Sequence, residues 1–256
     1  MNPPLDALRI ARGHAIAVEV HDCVDSTQTL AHARVQAGQR APLAIFAEQQ
    51  SAGRGQRGRR WVSPAGAALY LTLIWPSRRP LAAQAGLSLV VGLGVRAALR
   101  RVGAEVHLKW PNDVWFADRK LGGILVELLG EPNGSTALIG IGLNHRLPAA
   151  AASAIDQAHI DLAQILDAVP ERSALAALLL AELERQLSEF EHAGLAPALS
   201  DWPAADALAG RPVWLIEGER RSAALALGVD ALGRLRVLID GRERVLAAGE
   251  VSIRPA

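Results

Sequence analysis

Two stretches of this chain hold residues whose types and spacing could do chemistry. The first is Gly53-Arg54-Gly55-Gln56-Arg57-Gly58-Arg59-Arg60-Trp61, which sets four arginines among three glycines. Glycines let backbone N–H groups converge on an anion, and guanidinium groups add paired donors for phosphate or carboxylate. A solvated basic turn or an RGG-like RNA contact would have the same composition. Residues 53–58 spell G-x-G-x-x-G, but Pro64 and a strand-like run follow, where a dinucleotide fingerprint needs a helix. Arg78-Arg79 stand where the acidic residue should be, and no Lys-Ser/Thr follows to make a phosphate loop.

The second stretch contains the lysines. Of 27 Lys and Arg residues only Lys109 and Lys120 are lysine, a bias that suggests a GC-rich coding sequence. Two lysines that resist such drift, eleven positions apart, suggest a need for ammonium groups. An ammonium is a compact point charge and a guanidinium a planar fork, so the two are not interchangeable beside a reacting atom. Between them stand Pro111-Asn112-Asp113, which read as a tight turn.

These residues need elements to position them. HAIAVEVH (14–21) alternates like a strand, and Ser26 is a fitting N-cap for a helix ending at Gly38. LAIFAE (43–48) and ALYLTLIW (68–75) read as strands flanking the Gly/Arg loop. A long helix is expected over 81–102, then strands at 105–110, 114–117, 120–129 and 135–145. Hairpins with inserted helices favour an α+β fold, with a mixed, largely antiparallel sheet and helices on one face. Residues 171–193 form an amphipathic helix and 197–208 a shorter one. From Arg211 short strands and Gly turns read as a small β-barrel. The expected units are 1–208 and 209–256.

Composition narrows the classes. The chain has 256 residues, is 50% hydrophobic and carries a net charge of +1, which excludes disorder and gives no global pull on nucleic acid or anionic membrane. Cys23 is alone, so no internal disulfide forms and a reducing cytoplasm is expected. The N-terminus lacks a signal-peptide pattern. The apolar stretch 81–99 includes Gln84, Ser88 and Arg96, which makes a buried helix rather than a membrane span.

Four segments fall in a specific order: Asp-Ser-Thr-Gln (25–28), Glu48 through Trp61, Lys-Trp-Pro-Asn-Asp (109–113) with Arg-Lys-Leu-Gly-Gly-Ile-Leu-Val-Glu (119–127), and Gly-Ile-Gly-Leu-Asn (140–144). Together they strongly resemble the biotin–protein ligases, or biotin–[acetyl-CoA-carboxylase] ligases. The resemblance covers the first unit throughout, and the tail is similar to the family's SH3-like C-terminal barrel. It implies activation of biotin by Mg-ATP to biotinoyl-5′-AMP, then transfer to one lysine of a biotin carboxyl carrier domain.

By that resemblance Lys120, Arg54 and Asp113 are the catalytic candidates. Ser26, Thr27, Gln50, Gly53, Arg54, Trp61, Lys120 and Gly123 would bind biotin. Arg57, Arg59, Lys109, Asn112 and Asn144 would bind ATP or the adenylate, and Asp113 would also face Mg²⁺. Ser26 as a plain helix cap and Asn112-Asp113 as a plain turn are competing readings. Many relatives have arginine where Gln56 stands. His159 lies where some relatives have an aromatic residue covering adenine. The short lead before the first motif implies the monofunctional type, with no DNA partner. A homodimer through a sheet edge is a further implication. Lipoate–protein ligase, of the same fold and chemistry, and a small-molecule or RNA-binding module are the alternatives.

Overall fold

The computed structural model describes residues 3–218, 220–248 and 252–256. Its centre is a seven-stranded sheet. The strands are β1 (Ala17–Val24), β2 (Leu43–Gln50), β3 (Ala68–Ser77), β4 (His107–Lys109), β5 (Asp113–Phe116), β6 (Arg119–Glu131) and β7 (Gly134–Asn144). Their order is β1-β2-β3-β7-β6-β5-β4. β1 and β2 run parallel and every other neighbouring pair is antiparallel. The sheet is therefore mixed and largely antiparallel.

Alternation along the strands splits the core in two. On β2, Ala44 and Phe46 face the large apolar cluster, while Leu43 and Ile45 face a smaller one. The large cluster is completed by α1 (Ala7–Ile10), α3 (Leu87–Arg100) and α5 (Arg172–Ala193). The smaller receives Ala31 and Val35 of α2 (Thr27–Gln36). Among the described residues most helices thus share one face, as expected, and α2 covers part of the other. That single helix brings residues 26–28 onto the sheet.

Two helices differ from their expected bounds. The stretch 81–102 divides into a 3₁₀ turn at Leu81–Gln84 and α3, because Gly86 takes φ 77° between them. The short helix α6 (Ala196–Asp201) passes into a 3₁₀ turn at Trp202–Ala204. Before them the alanine-rich loop contains one turn of helix, α4 (Ala149–Ala152).

The C-terminal strands β8 (Pro212–Glu217), β9 (Arg220–Val229), β10 (Leu235–Ile239), β11 (Arg242–Leu246) and β12 (Ser252–Pro255) form an antiparallel sheet ordered β11-β10-β9-β8-β12. Among the described residues its edges, β11 and β12, do not pair to close a barrel. Val213, Leu215, Leu235 and Val237 join the large core cluster. Trp110 ties this sheet to the main one by donating from Nε1 to the Gly233 carbonyl at 2.9 Å. Among the described residues no helix is long and apolar enough to cross a membrane.

Candidate active site

The polar floor of the site begins where β2 ends. Gln50 Oε1 accepts from Thr27 N at 2.9 Å and faces Thr27 Oγ1 at 3.2 Å. Gln50 Nε2 donates to Ser63 Oγ at 2.9 Å, and Ser63 donates to the Trp61 carbonyl at 3.0 Å. Thr72 Oγ1 lies 2.8 Å from Thr27 Oγ1 and 3.1 Å from Gln28 Oε1. Ser26 does cap α2, accepting from Gln28 N at 3.2 Å. Ser26, Thr27, Gln28 and Thr72 expose at most 4% of their surface, so these links are made in a poorly solvated place.

Above the floor lie glycines and Trp61. A Cβ on Gly142 would meet the indole at 2.5–2.7 Å, and one on Gly123 would meet Trp61 and Lys120 at 3.2 Å. Only a bare backbone at these strand positions admits the ring. Among the described residues Trp61 Nε1 is buried without a hydrogen-bond partner. The arginine tract is more ordered than its composition suggests. Arg54 and Arg60 bridge as antiparallel partners, Gly55 N donates to the Arg59 carbonyl at 2.7 Å, and Arg57 sits at φ 59° in the turn between. Arg54 is aimed by Glu127, 2.8 Å away.

The charged part is set by strand register. Lys109 pairs with Asp113, and Asp113 with Gly123, across β4, β5 and β6, which stacks them on one face. A register shift after Val114 brings Lys120 to the same place. Asp113 Oδ1 is 2.7 Å from Lys120 Nζ, and its Oδ2 is 3.5 Å from Lys109 Nζ. All three side chains are 12–14% exposed. Burial pushes the Lys109 ammonium below the usual lysine range; Asp113 opposes the shift, while Lys120 and Arg59 add to it. Lys109 also lies over the Trp115 ring at 5.2 Å and Lys120 over Trp61 at 5.4 Å.

Two adjoining cavities result. The narrow one, about 50 Å³, is lined by Ser26, Thr27, Gln50, Arg54, Trp61, Lys120 and Gly123, together with Gln28 and Thr72. The wide one, about 520 Å³, is lined by Arg57, Arg59, Lys109, Asn112 and Asp113, and shares Trp61 and Lys120 with the first. Most of the residues expected for biotin line the narrow cavity and most of those expected for the nucleotide line the wide one, with Trp61, Asn112 and Lys120 lining both.

Two expected residues line neither cavity. Gly53 lies beneath the floor, where a Cβ would meet the Trp61 carbonyl at 2.5 Å. Asn144 is buried and donates from Nδ2 to the Ile160 carbonyl at 3.0 Å. Ile160 N in turn donates to the Lys120 carbonyl, and Lys120 N to the Ala158 carbonyl, both at 3.0 Å. Asn144 thus steadies the loop running beside the lysine strand. Asn112 lines both cavities and clasps β6, donating from Nδ2 to the Ile124 carbonyl at 2.7 Å. His159 holds Gln157 through Nδ1 at 2.9 Å on the same loop.

Gln28, Thr72 and Glu127 were not singled out by sequence reasoning. Gln28 and Glu127 fell inside the quoted segments, and Thr72 was one polar residue in an apolar strand. Among the described residues no three His, Cys, Asp or Glu side chains gather to hold a metal ion. With Asp113 already paired to two ammonium groups, the donor set does not fit a resident metal.

The model of the biotin/lipoate A/B protein ligase family matches residues 20–144. The chain is 43% identical to the bifunctional ligase/repressor BirA of Escherichia coli, over 83% of this chain and 67% of that protein. It is 33% identical to the biotin–[acetyl-CoA-carboxylase] ligase of Mycobacterium tuberculosis, over 82% of this chain and 78% of that protein. The biotin protein ligase from Aquifex aeolicus in complex with biotin and ATP superposes with a TM-score of 0.77 at 25% identity, covering 93% of this chain and 99% of that one.

Proposed function

The chain belongs to the biotin/lipoate A/B protein ligase family, on the side of its biotin ligases, and we propose that it makes biotinoyl-5′-AMP and passes the biotinyl group to one lysine of a carboxyl carrier domain. The observation that carries this reading is the junction of the two cavities at Lys120. The narrow cavity suits an uncharged ureido ring on an apolar chain. The polar atoms of its floor are buried and mutually paired, and glycine and tryptophan form part of its walls. The wide cavity suits a triphosphate, with Arg57, Arg59, Lys109 and Lys120 facing it.

In the first step a biotin carboxylate oxygen bonds to the α-phosphorus while the bond from that phosphorus to the bridging oxygen breaks, and pyrophosphate leaves with the electron pair. Two anionic groups must approach, so charge neutralisation is the main requirement. Lys120 stands at the junction, and Arg54 lines the narrow cavity. Asp113 holds Lys120 there until the ligand's oxygens take over. Mg²⁺ belongs to this reading as the ion carried on ATP, part of the substrate rather than of the protein.

In the second step the unprotonated acceptor amine attacks the acyl carbon. AMP leaves with the electron pair, and the amine's proton passes to solvent. Asp113 is the carboxylate at the junction that can accept a hydrogen bond from the incoming lysine.

ATP–pyrophosphate exchange with biotin, lipoate or neither tests the reading. Exchange that needs biotin is expected, followed by a single added biotinyl group on a carrier domain by mass spectrometry. Exchange with lipoate alone, or with neither from folded protein, would overturn it.

A further inference from the structure

The second step proposed above needs a protein to bring a lysine to the junction at Lys120. Of the two cavities that meet there, the narrow one measures about 50 Å³ and the wide one about 520 Å³, so the lysine has room to enter by the wide one. Part of that cavity's wall is Ile253, Arg254 and Pro255 of β12, an edge strand of the C-terminal sheet. A protein presenting a lysine there lies beside β12, and the face of the sheet next to that strand is what it meets.

Alternation and register decide the residues on this face. Val213 and Leu215 of β8 belong to the large core cluster, so Trp214 and Ile216 face the other way and are half-buried. Trp214 pairs with Arg254 on β12 and with Ala223 on β9, and Ile216 pairs with Arg221. Cross-strand partners share a face, so Arg254, Trp214 and Arg221 form one patch that ends at the wall of the wide cavity. Ala223 is exposed and too small to cover the indole.

The patch is built around a close stack. Arg221 Cζ stands over the Trp214 ring 3.8 Å from its centroid, nearer than Lys109 or Lys120 stand to their rings. A guanidinium engaged through its face keeps the N–H groups of its edge free for a carboxylate. Other arginines of the sheet are neutralised where they stand, Arg236 by Glu243 and Arg244 by Glu217. Among the described residues Arg221 and Arg254 are exposed and meet no carboxylate. With a net charge of only +1 on the whole chain, attraction for an acidic partner has to be local. An aromatic ring flanked by arginines is the composition of an interface anchor.

We propose that this face of the C-terminal sheet, centred on Trp214 with Arg221 and Arg254, docks the carrier domain through an acidic patch beside its acceptor lysine. The proposal rests on the biotin-ligase reading and adds where the protein substrate is held and by what chemistry. The indole supplies apolar contact, and the two guanidinium groups supply charge and register.

The test uses the whole chain and, as probe, the apo carrier domain of a bacterial acetyl-CoA carboxylase. Three rates are read: biotin-dependent pyrophosphate exchange, transfer to the carrier domain, and transfer to hydroxylamine, a small amine that needs no docking. Arg221→Glu is expected to raise the KM for the carrier domain by about 10-fold or more, because it replaces attraction by repulsion. Trp214→Ala should raise it by a similar factor, about 10-fold, as loss of an interface anchor does. Exchange and transfer to hydroxylamine should stay within about 2-fold of wild type in both, since neither residue touches the reacting groups. The wild-type KM for the carrier domain should rise between about 0.05 and 0.5 M salt, and that of Arg221→Glu should rise less. Arg221→Glu is an exposed change, which keeps the question decidable if Trp214→Ala does not fold.

A carrier KM that stays within about 2-fold of wild type in Arg221→Glu overturns the docking face and leaves the ligase reading intact. Exchange and hydroxylamine transfer that fall as far as carrier transfer also overturn it, because the loss would then lie in the first step. A wild type with no biotin-dependent exchange overturns the reading beneath it, and the docking face with it.

Discussion

On the floor of the narrow cavity the polar side chains are neutral, buried and engaged with one another, whereas the wide cavity is lined largely by charged side chains. Thr27, Gln28, Gln50 and Thr72 are held by bonds to other protein groups. Lys109, Asp113 and Lys120 pair among themselves in a way that an incoming anion would replace. The contrast suits what each space must do. A neutral ring is recognised best by groups that need no rearrangement, since their orientation is settled in advance. A phosphoryl group is handled best by cations held in place by an exchangeable partner, so that their desolvation is offset before the ligand arrives.

The most severe way to break this contrast is at the junction. Lys120→Arg keeps the charge and loses the compact ammonium that fits between Asp113, 2.7 Å away, and the Trp61 ring. If Lys120 donates to the oxygens of the reacting carboxylate and phosphate, biotin-dependent pyrophosphate exchange should fall by about 100-fold or more, the usual consequence of losing a transition-state donor. Melting temperature should hardly move. A variant within about 3-fold of wild type would mean that Lys120 supplies only bulk positive charge.

Thr72→Val tests the other side. The new methyl matches the hydroxyl in shape but leaves Gln28 Oε1 facing no donor in a place that is 0% exposed. The cost should be about 1–3 kcal/mol, or roughly 2–12 °C in melting temperature for a chain of this size. A neutral change should therefore destabilise this protein measurably. No shift would show that the floor relaxes around the loss and is not preset.

The sequence disclosed the site better than its support. Ser26, Thr27, Gln50, Arg54, Trp61, Lys120 and Gly123 were recognisable because each lies in a short local motif, and all seven line one cavity. Gln28 and Thr72 became visible only when β3 was laid beside α2, a pairing between residues 44 positions apart. Glu127, within β6, reads as a solvated carboxylate until Arg54, Gln28 and His32 are brought to it. The placement of α2 was hidden for a related reason. Its buried residues are Thr27, Gln28, Ala31 and Val35, too few and too small to mark an apolar stripe. Asn144 shows the converse: its motif suggested a ligand contact, and its amide steadies a loop through Ile160.

The smallest effect belongs to the rim of the wide cavity, where Asp118 Oδ1 meets Arg211 Nη1 at 2.7 Å. The hydrogen bond from Arg211 holds the Asp118 carboxyl below its usual range despite slight desolvation. A lowered folded-state value means that the stabilisation is present above the unfolded-state value, about 3.9, and fades as pH falls through the folded one. Yet the side chains are 56% and 41% exposed, so water and salt screen the pair. Asp118→Asn should therefore cost no more than about 1 kcal/mol at pH 7, or roughly 2–4 °C. The difference from wild type should shrink at about 1 M salt and again as the pH falls below the unfolded-state value of about 3.9 and through the lower folded one. An ion pair of good geometry would then be worth less than one uncharged hydroxyl under the floor. A larger loss for Asp118→Asn than for Thr72→Val would reverse that ranking and place the rigidity of the site in its charged rim.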